Sequence, residues 1–499
     1  MIALLGGVAS AILCLASISG IGYQLARLLR AGESSEARAA RPGFGWAFLL
    51  GSAAVGLVLQ IPLAIDGRIT HRSFAVVGMV GMAAVGWTIV GWWRSGLLGK
   101  GAWFDWLSDL PMLGRLLALV SIAAAFVYCC RTDLTGYDAR TIYALKARVL
   151  YDTGTIRGED FQDIHRVHFN PAYPLLLPLV EAQIYWTHGS YVAPGLKLLF
   201  LLFPLALASL YAGELRRFGT RGFAAMAALL LLSTPLFLEC FEGAALSGSA
   251  DLPLAALILG GVLELSRWIR RPGWQPALCA ALLLGAAAAT KSEGMLWTAA
   301  CAAGLAGTWL LRPSWPSGRR LATAVAGMVT LVVVAVVRDR ISRQVPDSPY
   351  YPSYWAALDW RWIMQLADRP AVVFRYAAVE LVRTRTWNLM WPCVIGSLVL
   401  LRRSRLPASV WFWRLTALAG IGASIFALVI TPLHLEYELR TSFSRLLLHA
   451  FPLAALIMAE QMAASGWSGQ LAQTMRADQE PEGQPEAMQP DAEPRAKAA

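Results

Sequence analysis

Charge is scarce in this chain. Of its 499 residues, 15% are Asp, Glu, Lys or Arg, while 57% are hydrophobic. A soluble protein of this length would form two or three domains under a far more polar surface. Acidic residues are the scarcer sign, 32 against 43 Lys and Arg, for a formal net charge of +11. In a soluble chain that surplus would raise nucleic acid as a partner. Here the arginines cluster beside the ends of apolar runs. That pattern reads as inside-positive loops and phospholipid contact, so no nucleic acid is expected. Cysteine is sparse too. Cys14, Cys129, Cys130, Cys240, Cys279, Cys301 and Cys393 sit in or beside apolar runs without CxxC spacing, which argues against a disulfide framework or a cysteine metal site. There is no HExxH pair and no GxxxxGK[ST] loop, so neither a zincin site nor Walker-type nucleotide binding is expected.

What is abundant is long apolar sequence. Runs of about 17–25 residues recur through the chain, the length that crosses a bilayer as a helix. They are continuous rather than alternating, which favours helices over a barrel. The expected spans are roughly 4–26, 44–65, 74–93, 112–130, 192–213, 222–240, 251–269, 275–290, 294–311, 321–337, 387–401, 409–430 and 446–463. The fold class read from this is an all-α polytopic membrane protein with about 13 crossings and amphipathic juxtamembrane helices in a large outer loop. The first span lacks a basic n-region and is followed by Arg27 and Arg30, unlike a signal peptide.

Arginine fixes the expected orientation. With Arg27, Arg30, Arg38 and Arg41 inside, the later clusters at Arg94 to Arg115, Arg216 to Arg221, Arg267 to Arg271, Arg312 to Arg320 and Arg402 to Arg405 also fall inside. The N-terminus is then outside and the C-terminus cytoplasmic, in the cytoplasmic membrane. This requires that 173–188, which carries two prolines and Glu181, and 371–386, which carries Arg375, Glu380, Arg383 and Arg385, stay on the outer side. Three regions follow: additional N-terminal helices over 1–111, a core over 112–464 with outer loops 131–191 and 338–386, and a tail over 465–499. The tail is rich in Gln, Glu, Pro and Ala and reads as disordered and cytoplasmic.

The polar residues near membrane depth gather on the outer side. Charge there is costly and points to function by default. The stretch from Thr132 to Pro178 is the largest such piece. Within it, Asp138 to Tyr151 has the spacing of an amphipathic helix, with Ile142, Leu145, Val149 and Leu150 on one face and Arg140, Lys146 and Arg148 between them. Asp138 at its start suits a helix N-cap, a general base or a metal ligand. Asp133 is a second acid, at a helix exit. Asp251, in SGSADLPLAAL, suits a cap on a helix whose first turn holds Pro253, or a site acid. Lys291 and Glu293, in ATKSEGMLW, either pair with each other across a tight hairpin or place a cation against phosphate. Arg445, in HLEYELRTSFSRLLLHAFP with His434 and His449 nearby, opposes the helix dipole at a helix start. It either snorkels or binds a lipid phosphate. His165 and His168 are spaced i, i+3 but lack accompanying carboxylates at ligand spacing.

Five elements, taken in order, resemble the C-type glycosyltransferase superfamily, in its family-39-like, RgtA-D-like and aminoarabinose-transferase-like bacterial branch. They are GYDARTIYALKARVLYDTG, HFNPAYPLLLPLVEAQIYWTHG, ADLPLA, TKSEG and HLEYELRTSFSRLLLHAFP, spread over about 131–452. The resemblance implies a membrane enzyme that takes a sugar from a polyprenyl-phosphate carrier on the non-cytoplasmic face and passes it to a lipid, glycan or protein. By the same resemblance Asp138 and Asp251 are the catalytic acids. Lys291, Glu293, Arg445, Arg140 and Lys146 surround the donor phosphate. His168 and Tyr173 belong to a loose histidine-proline element. Related chains often carry an acidic pair where this one has Tyr137-Asp138-Ala139, so a divalent cation at Asp138 stays open. Two rival readings remain, a lipid or glycan transporter and a polysaccharide polymerase or ligase. A transporter would show internal repeats and broken helices at matched positions, and no repeat is present. Several arginines in loop 338–386 keep the polymerase or ligase reading open.

Overall fold

The computed structural model describes residues 2–30, 43–94, 104–163, 165, 170–191, 194–238, 243–312, 318–346, 360–400 and 406–466. Among these residues the chain is helical throughout, apart from one antiparallel bridge between Arg68 and Thr155. The principal helices are α1 (Ile2–Arg30), α2 (Phe44–Asp66), α3 (His71–Arg94), α4 (Met112–Arg131), α5 (Leu145–Thr153), α6 (Leu176–His188), α7 (Leu198–Leu215) and α8 (Arg221–Leu232). They continue with α9 (Asp251–Arg270), α10 (Trp274–Thr290), α11 (Glu293–Leu311), α12 (Gly318–Ser342), α13 (Arg369–Leu381), α14 (Met390–Leu400), α15 (Ala408–Ile430) and α16 (Leu435–Ala464).

Ten of these are long and apolar enough to cross a bilayer: α1, α2, α3, α4, α7, α9, α11, α12, α15 and α16. The other three expected spans are also helical but shorter, and form α8, α10 and α14. Burial separates the centre from the rim. The apolar windows of α7, α9 and α16 are 83%, 89% and 83% buried, whereas that of α12 is 6% buried and so faces outward along most of its length. The N-terminal helices are knit into the rest: α1 packs on α2, α3 and α6, and α2 on α7, α10 and α12. Close approach of α1 to α2 depends on Gly22 and Gly51. A Cβ at Gly22 would collide with the Ala47 carbonyl, and one at Gly51 with the Ile18 carbonyl. Small residues at a helix contact are how membrane helices gain packing that lipid cannot supply.

The segments expected to stay on one side do not make long helices. α6 has 13 residues, or about 20 Å at 1.5 Å per residue, less than the ~30 Å of a bilayer core. α13 also has 13 residues, and a short turn, Thr384–Trp387, follows it. The expected amphipathic helix over 138–151 is not one regular element. A π-helical turn spans Ala139–Ala144, and α5 continues to Thr153, where Gly154 ends it in the left-handed region at φ 63°. Residues 347–359 of the loop expected over 338–386, and 467–499 of the tail, lie outside the described residues.

Glu181 on α6 is fully buried, and neither carboxylate oxygen has a hydrogen-bond partner among the described residues. Burial pushes its carboxyl well above the usual carboxylate range. A folded-state value raised above the unfolded one contributes stability below the unfolded value and loses it as pH rises through the folded one. Glu181→Gln is therefore expected to leave the unfolding temperature in detergent unchanged at pH 5. It should flatten the decline that the unsubstituted protein shows toward alkaline pH. A lower unfolding temperature at pH 5 would show that the carboxyl has a partner that the amide cannot satisfy.

Candidate functional site

The site forms where α9 begins. Asp251 is its first residue, but its side chain does not cap the helix: Ala250 holds the cap position and makes no side-chain bond there. Instead the carboxylate, 0% exposed, is surrounded by donors. Its Oδ1 accepts from Lys291 Nζ at 2.7 Å and lies 3.1 Å from His449 Nε2; its Oδ2 accepts from Arg445 Nε at 2.9 Å. Lys291 Nζ also pairs with Glu293 Oε1 at 2.9 Å, and Arg445 Nη2 donates to Asp138 Oδ2 at 2.5 Å. Asp138, likewise, makes no cap bond. Two arms thus leave Asp251, one through Lys291 to Glu293 and one through Arg445 to Asp138.

Local structure explains how these groups meet. Arg445 and His449 stand four residues apart on α16, one above the other on the same face. Lys291 closes α10 in extended backbone, φ −154° and ψ 151°, so its side chain turns in toward α9. Gly243 sits at φ 99°, and a Cβ there would lie 3.0 Å from Arg445 Cγ. Only glycine holds that conformation without strain and lets the loop close over the arginine. Asp138 immediately precedes the π-helical turn, and such turns are frequent at functional sites.

Exposure grades the cluster from inside outward. Side-chain exposure is 0% at Asp251 and His449, 5% at Lys291 and 11% at Arg445. At the two ends it rises to 21% at Asp138 and 22% at Glu293. The outer two carboxylates can therefore meet a substrate, while Asp251 holds the cations. Burial alone would lower Lys291, but the carboxylates of Asp251 and Glu293 outweigh it and hold the lysine above its usual range, fully charged.

Tyrosines line one side. Tyr143 and Tyr173 meet edge to face, with ring centroids 6.0 Å apart. Burial pushes both phenols above the usual range, with the nearby carboxylates adding to the shift. Tyr143 was not singled out in the sequence. Its signal was weak, an aromatic in what read as an amphipathic helix.

Other residues from the sequence reading lie elsewhere. Lys146 is fully buried, and its Nζ donates to the carbonyls of Asn170 at 2.6 Å, Tyr173 at 3.0 Å and Pro171 at 3.4 Å. It ties the π-turn segment to the Tyr173 loop. Arg140 and Asp133 are exposed. His168 lies outside the described residues. No protein-family model, curated protein or solved structure matches this chain. Among the described residues no three His, Cys, Asp or Glu side chains are grouped to hold a metal ion. The carboxylates present already carry guanidinium and ammonium partners, a donor set that does not fit a divalent cation at Asp138.

At the other end of α9 the charge pattern differs. The helix has 20 residues and runs about 30 Å from Asp251 to Arg270. There Arg270 pairs with Glu214 at 3.0 Å, Arg267 with Glu264 at 3.1 Å and Arg216 with Asp109 at 2.5 Å. The acid-centred cluster and the arginine-rich set thus mark opposite ends of the central helix.

Removing Asp251 would break two buried ion pairs and leave Lys291 with Glu293 alone and Arg445 with Asp138 alone; losing one partner of a buried pair costs about 3–5 kcal/mol. Asp251→Asn is expected to lower the unfolding temperature in detergent sharply. Asp138→Asn, at the accessible end, should lower it much less. Equal losses from the two would mean that Asp251 is not the anchor. Gly243→Ala should destabilise as well, because strain is added beside Arg445.

Proposed function

We propose that this protein is an integral-membrane glycosyltransferase. It transfers a sugar from a polyprenyl-phosphate carrier to a lipid, glycan or protein acceptor at the outer face of the cytoplasmic membrane. The observation that supports this reading is the paired-charge network from Asp138 through Arg445, Asp251 and Lys291 to Glu293, set at one end of a bundle of apolar helices. Transfer from a lipid phosphate needs a base at the incoming hydroxyl and positive charge near the departing phosphate. One end of the network offers an accessible carboxylate, and its interior holds two cations in fixed positions.

In the proposed reaction the acceptor hydroxyl oxygen attacks the anomeric carbon as Asp138 takes its proton. The bond from that carbon to the phosphate oxygen breaks, and the electron pair leaves with the phosphate. Direct displacement inverts the anomeric centre. Phosphate is a good leaving group, so no second acid is required. Asp251 orients Lys291, Arg445 and His449. Arg445 also holds Asp138, which positions the base relative to the cations.

The orientation belongs to the same proposal. The Asp251 end of the bundle faces outward and the Arg270 end inward, as the inside-positive rule favours. With α8, α10 and α14 counted, thirteen traverses place the N-terminus outside and the C-terminus in the cytoplasm, while α6 and α13 stay on the outer side.

The test is turnover of polyprenyl-phosphate sugars by the purified protein. The unsubstituted protein should consume donor. Asp138→Asn should lose about 10²- to 10⁴-fold in rate, the usual contribution of a general base, while remaining folded. Equal rates would remove the proton-accepting role from Asp138. No consumption or binding across a broad donor panel would overturn the transferase reading and favour a transporter.

A further inference from the structure

The cations identified in the sequence do not by themselves make an anion site. Asp138, Asp251 and Glu293 supply three negative charges, and Lys291 and Arg445 supply two positive ones, each already within hydrogen-bond distance of carboxylates. Counting those five side chains alone, the carboxylates exceed the cations by one. Of the other two candidate cations, Lys146 is turned to backbone carbonyls and Arg140 is exposed.

One further cation borders the cluster. Arg338, near the end of α12, approaches Ser292 Oγ through Nη2 at 3.4 Å. Ser292 lies between Lys291 and Glu293. Glu293 and Tyr173 are the charged and ionisable groups that act on Arg338 electrostatically. Among the described residues it forms no ion pair, and its Nη1 is buried without a hydrogen-bond partner. A guanidinium N–H left unpaired out of water is costly and calls for an acceptor. Beside it lies a small pocket of about 20 Å³, lined by Gln60, Tyr173, Ser342 and the aliphatic side chain of Ile341. α12 is the least buried of the ten long helices, so this arginine stands where the cluster meets the lipid-facing rim.

We propose that Arg338 is the residue that binds the phosphate of the lipid-linked substrate. This rests on the transferase reading and assigns its phosphate contact. Arg338 brings the charge sum of the group to zero. It offers a planar fork matched to phosphate oxygens. It also enters from the rim, where a carrier whose chain stays in the bilayer would present its headgroup. Lys291 and Arg445 then fix the carboxylates and add positive charge near the phosphate that Arg338 contacts.

The experiment measures binding of decaprenyl phosphate to the full-length protein in detergent, with decaprenol as the uncharged control. Arg338→Gln is expected to weaken decaprenyl phosphate binding by about 10- to 100-fold, the size of a lost charge-assisted hydrogen bond, and to leave decaprenol binding unchanged. Arg338→Lys should recover part of the loss, because a point charge replaces the fork. Ser292→Ala should change it only a few-fold. Thermal unfolding of each variant separates these effects from misfolding. If the unsubstituted protein and Arg338→Gln bind decaprenyl phosphate equally, the assignment is overturned and the transferase reading stands on its own turnover test. Loss of both ligands together would also overturn it, since the defect would not concern the phosphate. If the unsubstituted protein binds no decaprenyl phosphate, the assignment is overturned, and the turnover test across the donor panel decides the transferase reading separately.

Discussion

A carboxylate with no access to solvent cannot stay ionised alone. At Asp251 the partners are Lys291, Arg445 and His449, which come to it from α16 and from the end of α10. That requirement fixes much of what surrounds the site. α9, α10 and α16 must start or end at the same height. The 243–250 connection must be compact enough to close over Arg445, which Gly243 permits at φ 99°. Glu293 and Asp138 then lie where the spare valences of Lys291 and Arg445 point. In a low-dielectric interior such a network is worth having only when complete, because one missing partner leaves a buried charge uncompensated.

The same electrostatics divides the bundle into two unlike ends. At the Asp251 end, carboxylates and cations form one connected group with its acids graded from buried to accessible. At the Arg270 end, Glu214 pairs with both Arg217 and Arg270, Glu264 with Arg267 and Asp109 with Arg216, so four arginines meet three acids. A connected and graded cluster can present a reactive group in a fixed position. A surplus of arginine suits contact with anionic headgroups. The asymmetry is what favours chemistry at one face over transport through the middle.

Between α4 and α6, a lysine that reads in the sequence as a phosphate ligand is a structural clamp. Lys146 satisfies three carbonyls of the Asn170 to Tyr173 turn. It thereby holds Tyr173 against Tyr143, and so shapes the wall of the site without facing it. The π-helical turn before it explains the difference. An extra residue per turn rotates everything beyond Ala144 relative to Asp138, so the facing of Lys146 cannot be counted from Asp138 at regular helical spacing.

The sequence by itself determined the class of protein. Apolar runs of bilayer length with few charges admit little but a helical membrane bundle, since lipid leaves backbone groups no partner outside the helix. It also singled out Asp138, Asp251, Lys291, Glu293 and Arg445, because charge beside such runs is rare enough to stand out. What it could not decide was which of them meet. Asp138 and Arg445 are 307 residues apart, and Asp251 and Arg445 are 194 apart. No periodicity reaches across such distances. Only the packing of helices brings their ends together, and it does so for Arg338 as well, which read in the chain as one more arginine where a loop begins. Tertiary structure decided the pairing because charge interacts through space, whereas pattern in a sequence reports only the facing of one element at a time.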